Sequence, residues 1–403
     1  MINPLRGMKD LMFDDARRFE YIVSTASTIA RRYGYAFVET PILEETTLFK
    51  RSVGESSDIV GKEMYQFEDK GGNDVCLRPE GTAGVVRAYI SAKLDRQQGK
   101  NRFFYFGPMF RYERPQKGRL RQFHQFGCES FGEASVYEDF STIQMVAQIF
   151  DALGIGYTLL INSLGCSACM PTYREGLVTF LEAHKETLCT DCNRRITTNP
   201  IRTLDCKNEA CQQVLVDAPR ITHHLCESCS SDFEALKGLL DRAGIAYEVD
   251  TGLVRGLDYY SQTAFEFVST EIGAQSAIAG GGRYDRLVEF LGGKPTPAIG
   301  FAIGIERIME LVCMPEPIRD GYYLGAMVPE ALPTLLDLAA RLRRNERVVL
   351  EYGSKGFKTH LKNSDKAQVR YVLLIGESEL AAKTVWIKDL QEKHETTRPI
   401  ASI

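Results

Sequence analysis

The sequence predicts an α+β body, interrupted by a small helical, cysteine-rich insertion and followed by a separate α/β domain. Three observations predict it. Helical periodicity over Asp15–Tyr33 and Phe140–Leu153 brackets strand-like segments rich in aromatic residues. Between about residues 163 and 232 that pattern lapses, and eight of the eleven cysteines crowd into the gap. From about Gly321 strands and helices alternate, as they do in small α/β units.

The first helix carries Phe19, Ile22, Val23, Ala26, Ile29, Ala30 and Tyr33 on one face, and Gly34 follows as a C-cap. The next stretch, YAFVETPIL, is β-rich but broken by Pro41, which suits a sheet edge or an interface strand. The second helix, marked by Phe140, Ile143, Ala147, Phe150 and Leu153, stops at Gly154. After the insertion, strands resume at IAYEVD and TAFEFV. The linker CMPEPIRDG then leads to strand YYLGAMV, a helix from Ala331 to Arg344, strand RVVLEY, a further helix, and strands RYVLLIG and TVWIKDL. The expected domains are 1–320, with the insertion at about 163–232, and 321–403.

Composition narrows the function classes. With 44% apolar and 25% charged residues, 403 residues suffice for more than one core. MINPLRGMKD lacks the apolar centre of a signal peptide, and no apolar run is long enough to cross a bilayer. The expectation is a cytoplasmic protein with no membrane partner, whose cysteines are thiols or metal ligands. A net charge of -4 excludes nucleic-acid binding through overall basicity, so any such contact must be local. A local patch exists: Arg341, Arg343, Arg344, Arg347, Lys355, Lys358, Lys362, Lys366 and Arg370 face only Glu346, Glu351 and Asp365 in the same stretch.

Three constellations carry chemistry. FFYFGPMFRYERPQKGRLRQFHQFGCESFG, from Phe103 to Gly132, sets Arg111, Arg114, Lys117, Arg119 and Arg121 in a loop between aromatic strands. Arginines on a rigid strand pair offer paired donors to phosphate or carboxylate, and Phe123 offers a face for a base. A solvated basic hairpin is the plainer reading of the same residues. AIAGGGRYDRLVEFLGG and TPAIGFAIGIERIMELV place glycines, including Gly300 and Gly304, ahead of a helix bearing Glu306 and Arg307. Such joints admit a ligand close to the backbone, or simply pack tightly. GLVRGLDYYSQTAFEF sets Arg255 among glycines beside the pair Tyr259 and Tyr260.

Together these segments resemble the class II aminoacyl-tRNA synthetases, and within them the histidyl-tRNA synthetases. RRYGYAFVETPIL resembles the first class motif, with Pro41 at the dimer interface; FRYE through RLRQFHQ resembles the second, and GFAIGIER the third. LVRGLDYY and AGGGRYD resemble the two signatures of the histidyl family. The likeness runs from PLRGMKD to the last strand, but where the family usually ends in a further helix this chain reads TTRPIASI.

The resemblance implies an antiparallel class II sheet flanked by helices, an anticodon-binding domain at the C-terminus, and a homodimer. It also implies the activity: histidine and ATP give histidyl-adenylate, and the histidyl group passes to the 3' end of tRNA(His). Arg111 would bridge substrate carboxylate and α-phosphate, with Arg119 and Arg307 on the γ-phosphate. Glu113 would accept from the adenine amino group, Phe123 would stack under the ring, and Mg²⁺ would bridge the outer phosphates. Arg255 would be a fixed cation at the reacting phosphorus. Glu80, Thr82 and Gln125 would hold the α-ammonium, and Gly81 would belong to the histidine site with them. Glu129 and Tyr260, with Tyr259 beside it, would read the two imidazole nitrogens. His124, alternating with Phe123 and Gln125 on a strand, is expected to be structural. Glu80 has a plainer reading as a helix-start carboxylate.

Cys166-x₂-Cys169, Cys189-x₂-Cys192, Cys206-x₄-Cys211 and Cys226-x₂-Cys229 have zinc-ligand spacing. The favoured set is one structural Zn²⁺ on Cys189, Cys192, Cys226 and Cys229, with Cys206 and Cys211 as substitutes; free thiols are the alternative. Many members of the family have an insertion without cysteines, so a metal here would not be part of the chemistry. The competing function is the regulatory paralogue that supports ATP phosphoribosyltransferase and charges no tRNA. That paralogue would be expected to have lost the motif arginines and the anticodon domain, both of which are present here.

Overall fold

The computed structural model describes residues 2–403 apart from 55–56, 58, 117, 255–258, 273–276 and 317. The chain divides into two compact units, Met1–Met314 and Pro315–Ile403.

The first unit is built on an eight-stranded sheet. Its order is Ala36–Phe37, Asn101–Phe110, Gln122–Phe131, Ala298–Gly304, Ala277–Arg283, Ser261–Val268, Thr158–Ser163 and Glu248–Val249. The pairings are antiparallel except at the two ends, where the two-residue strands lie parallel to their neighbours. One face is apolar. Phe104, Phe126, Cys128, Phe265, Phe267, Ile299, Phe301 and Ile303 form a buried core with two helices, Asp14–Arg32 and Val136–Leu153. The first presents Ile22, Ala26, Ile29 and Ala30 at helical spacing, opens on Asp14 and Asp15 and closes on Arg31 and Arg32, in register with its dipole. The second begins a turn before Phe140 because the Ser135 hydroxyl accepts from the Tyr137 N–H, and ends at Gly154 in the left-handed conformation. Arg283 fastens that helix to the sheet: it is buried, pairs with Asp139 at 2.6 Å, and donates to the carbonyls of Glu133 and Ser135.

A strand alternates its side chains between faces, so the residues between those core positions point the other way. Phe123, Gln125 and Glu129 therefore share the second face with Tyr105, Gly300, Ala302 and Gly304. That face is the floor of the cleft described below. A three-stranded antiparallel sheet (Leu43–Glu45, Asp74–Leu77, Tyr65–Glu68) and the helix Thr82–Ser91 complete this part of the unit.

Between strands Thr158–Ser163 and Glu248–Val249 the chain forms the helices Met170–Ala183, Thr190–Thr198, Glu209–Leu215 and Glu227–Ala243. The first three share a small core in which Tyr173, Leu177, Leu181, Ile196 and Leu215 are packed among cysteines, while Phe233, Leu236 and Leu240 of the fourth pack into the core of the large sheet.

The second unit is a five-stranded mixed sheet, ordered Val348–Leu350, Tyr322–Ala326, Tyr371–Ile375, Thr384–Asp389 and His394–Pro399. The first two pairings are parallel and the last two antiparallel. Helices Leu332–Leu342 and Phe357–Lys366 connect the parallel strands. TTRPIASI contributes to the edge strand His394–Pro399 and a final 3₁₀ turn at Ile400–Ser402. Among the described residues no helix is long and apolar enough to cross a membrane.

Candidate active site

The polar face of the large sheet opens into a cleft of about 260 Å³, lined by Glu80, Thr82, Gln125, Tyr259 and Tyr260 and by Arg111, Glu113, Arg119, Phe123 and Arg307. Its two ends differ in charge.

The first end is acidic and aromatic. Glu80 is almost fully buried, and its two oxygens accept from the N–H groups of Thr82 and Ala83 at 2.7 and 2.9 Å. It therefore caps the start of the helix Thr82–Ser91, as its plainer reading expects, and it also lines the cleft. Burial raises its pKa against those two bonds. Below it lies Glu129, fully buried, which accepts from the Thr82 hydroxyl at 2.7 Å, the Tyr105 hydroxyl at 3.2 Å and the Tyr284 hydroxyl. Burial, with the Glu80 charge adding to it, pushes the Glu129 carboxyl up to about 8 although the three hydroxyls favour the ion. Tyr259 packs edge-on to Tyr284 at 5.6 Å and beside Tyr260 at 4.7 Å, closing the apolar wall. The Gln125 Oε1 is buried and meets no hydrogen-bond donor among the described residues.

The second end is cationic. Arg111 donates through Nε to the Pro79 carbonyl at 2.9 Å, and its guanidinium lies 5.2 Å from the centre of the Phe123 ring. Glu113 pairs with Arg119, and Arg111 stands 4.0 Å from the same carboxylate. Arg307, on the short helix Ile305–Met309, donates to the Ala277 carbonyl. Its neighbour Glu306 accepts from the His124 N–H at 2.8 Å and contacts His124 Nδ1 at 2.7 Å. Phe19 lies edge-on to the His124 ring at 4.9 Å.

Sequence reasoning named most of this site, and the fold gathers Glu80, Thr82, Arg111, Glu113, Arg119, Phe123, Gln125, Tyr259, Tyr260 and Arg307 into one cleft with Glu129 beneath. Gly81 does not line the cleft. It serves as the N-cap of the helix, and a Cβ there would overlap the Tyr105 ring. Arg255 lies outside the described residues. Tyr105 and Tyr284 were missed. The signal for Tyr105 was Gly81 and Gly127, whose missing side chains leave room for its ring. Tyr284 sat in plain view in AGGGRYD.

The metal assignment needs correction. Cys189 and Cys192 do not meet Cys226 and Cys229. They group with Cys206 and Cys211, while Cys226 and Cys229 group with Cys166 and Cys169. Sequence spacing identifies the pairs, but the helical fold of the insertion decides which pairs meet.

A family model for histidyl-tRNA synthetase matches residues 7–308, and a model for an anticodon binding domain matches residues 322–403. A histidine–tRNA ligase of Sulfurovum sp. is 72% identical over 98% of both chains, and one of Sulfurimonas denitrificans is 62% identical over 98% of both. The crystal structure of a Staphylococcus aureus histidyl-tRNA synthetase superposes with a TM-score of 0.83 at 33% identity, covering 100% of this chain and 98% of that one. A Bacillus halodurans structure titled as an ATP phosphoribosyltransferase regulatory subunit/histidyl-tRNA synthetase shares the fold at 22% identity and a TM-score of 0.67, over 93% of this chain and 98% of that one. With a matching sequence along its whole length and a cleft built from the motifs quoted above, the chain belongs to the histidyl-tRNA synthetase family.

Proposed function

We propose that the chain joins histidine to tRNA(His) at the expense of ATP, through histidyl-adenylate. The observation that carries this reading is the two-ended cleft, acidic where an ammonium and an imidazole would lie and cationic where a carboxylate and phosphates would lie. A carboxylate oxygen of histidine attacks the α-phosphorus, and pyrophosphate leaves in line. The terminal ribose hydroxyl of the tRNA then attacks the activated carbonyl, and AMP leaves. Neither step needs a covalent bond to the protein, so the side chains position the reactants and stabilise charge.

Glu80, Gln125 and Thr82 hold the α-ammonium, with the unpartnered Gln125 oxygen as one acceptor. Glu129 accepts from one imidazole N–H, and Tyr260 bonds the other ring nitrogen. Arg111 bridges the carboxylate and the α-phosphate. Arg119 and Arg307 take the γ-phosphate, Phe123 stacks under adenine, and Glu113 accepts from its amino group once Arg119 turns to phosphate. Arg255, assigned on the motif alone, supplies a cation for the charge that develops at phosphorus. Mg²⁺ takes few protein carboxylates beside phosphate oxygens, and Glu266 and Glu306 line the cleft with ligands of that kind. It would shield the outer phosphates.

The division of labour follows the two units: catalysis in the first, anticodon contact in the second. Lys358, Lys362 and Lys366 are exposed and spaced by four on the helix Phe357–Lys366, opposite buried His360 and Ser364. They form a row suited to a phosphate backbone. A homodimer is supported by Phe37, Ile42 and Leu43, apolar side chains exposed around Pro41. The work of translation places the protein in the cytoplasm.

Histidine-dependent ATP–pyrophosphate exchange tests the activity. Histidine should support exchange and the other amino acids should fall short by about 10⁴-fold, since a pocket of buried polar groups rejects ligands that leave them unpaired. Exchange driven equally by another amino acid, or by none, would overturn the reading.

A further inference from the structure

Outside the cleft, the densest cluster of reactive side chains is the set of eight thiols in the insertion. They form two groups, Cys166, Cys169, Cys226 and Cys229, and Cys189, Cys192, Cys206 and Cys211. In each group all four sulfurs lie within 4.8 Å of one another. Cys166 Sγ is 3.8 Å from Cys169 Sγ and 3.9 Å from Cys226 Sγ, and Cys189 Sγ is 3.8 Å from Cys206 Sγ.

These spacings have a specific meaning. Four sulfurs arranged tetrahedrally around Zn²⁺ at about 2.3 Å stand about 3.8 Å from each other. A disulfide needs sulfurs at about 2.05 Å, and all eight cysteines are unbridged. The backbone is arranged for negative sulfur as well. The Cys226 N–H donates to Cys169 Sγ at 3.1 Å, the Ala168 N–H to Cys166 Sγ at 3.4 Å, and the Cys189 N–H to Cys211 Sγ at 3.1 Å. Such donors stabilise a thiolate and orient it as a ligand. Neither group includes a carboxylate or imidazole, which disfavours hard cations. Four protein ligands also leave no position open for a substrate, so the sites are structural.

The groups are nested along the chain. The outer site joins the start of the insertion, just past the strand Thr158–Ser163, to the first turn of the helix Glu227–Ala243. The inner site closes the stretch from Cys189 to Cys211. The core between them is small and includes the cysteines themselves, and a core of that kind needs cross-links to hold a single structure.

We propose that the insertion holds two independent zinc ions, each on four cysteines: an outer site of Cys166, Cys169, Cys226 and Cys229, and an inner site of Cys189, Cys192, Cys206 and Cys211. The proposal stands apart from the activity and is tested without it. Elemental analysis of the purified full chain should give about two zinc per chain, and zinc X-ray absorption should show sulfur alone at about 2.3 Å. Cys166→Ser with Cys226→Ser should remove one zinc and leave the other, and Cys206→Ser with Cys211→Ser should do the same. One zinc per chain, lost with either pair of substitutions, would mean that a single ion draws on both groups, and would overturn the proposal. So would nitrogen or oxygen ligands in the absorption spectrum, iron in place of zinc, or metal-free protein. The spectrum and the metal content are read on the unaltered chain, so the test survives a variant that fails to fold.

Discussion

Glu129 shows how one residue couples the fold to the chemistry. Its carboxyl is buried under three hydroxyls, and Gly300 on the adjacent strand is glycine because a Cβ there would overlap that carboxyl. From the usual 4.5 its pKa is raised to about 8, so between those values the folded chain holds a proton that the unfolded chain has released. This contribution to stability is full below 4.5 and is lost as pH rises through 8. A bound imidazole N–H needs an acceptor, which the ionised carboxylate supplies best. Histidine binding just below the pKa should therefore expel a proton, and affinity should rise as pH climbs towards 8. Titration calorimetry in buffers of different ionisation enthalpy measures that proton. In Glu129→Gln the release should vanish, and histidine KM should rise about 10- to 100-fold, because one amide oxygen cannot serve all the donors aimed at it. Unchanged proton release in the variant would assign the proton elsewhere. The arginines of this site were legible in the sequence because they sit within contiguous motifs, Arg111 and Arg119 in the loop that joins two strands and Arg307 on the helix that follows a third. Tyr105 and Tyr284 were harder to read, because the glycines that make room for Tyr105 and the motif that carries Tyr284 do not say which carboxylate a hydroxyl will support.

The elements were legible where a periodicity ran long enough. Both core helices announce themselves by their apolar spacing, while the edge strand His394–Pro399, polar and mostly exposed, has none to show. The insertion shows the same limit in another form, since its cysteine pairs are written in the sequence but their partners are set by helix packing. Its attachment also has a consequence for the cleft. The Leu164 N–H donates to the Gln262 carbonyl at 2.6 Å and the Gln262 N–H to the Gly165 carbonyl at 2.8 Å, between Cys166 on one side and Tyr260 on the other. Tyr260 further shares a cavity of about 70 Å³ with Met170, Tyr173 and Arg202 of the insertion. The outer cysteine group is thus joined by two backbone hydrogen bonds to the segment beside a residue proposed to read the imidazole, while the inner group reaches that residue through Arg202, which lines the shared cavity. Cys166→Ser is expected to raise histidine KM about two- to tenfold with kcat for exchange little changed, as contacting sites couple and distant ones do not. Cys206→Ser, whose route to Tyr260 runs through the cavity lining, should raise KM less. Exchange kinetics over a histidine series decide it, and equal effects from both substitutions would show that the insertion acts as a whole.

For the whole molecule, the proposed histidine and ATP residues all precede Met314, and the row Lys358, Lys362 and Lys366 belongs to the second unit. A chain cut after Met314 should keep pyrophosphate exchange and should sediment as a dimer, since the apolar residues around Pro41 remain. Its charging of tRNA should fall far more. With a net charge of -4 the full chain has no general attraction for RNA, so binding must come from local rows of cations. Each phosphate contact releases counterions, and the logarithm of tRNA affinity should fall linearly with the logarithm of salt concentration. Replacing the three lysines with alanine should flatten that slope, by roughly one unit for each that touches a phosphate. Exchange should be nearly indifferent to the same range of salt. A slope unchanged in the triple variant would move the contact off this helix. A folded, dimeric fragment that lost exchange and charging together would mean that catalysis depends on the second unit, against the division proposed here.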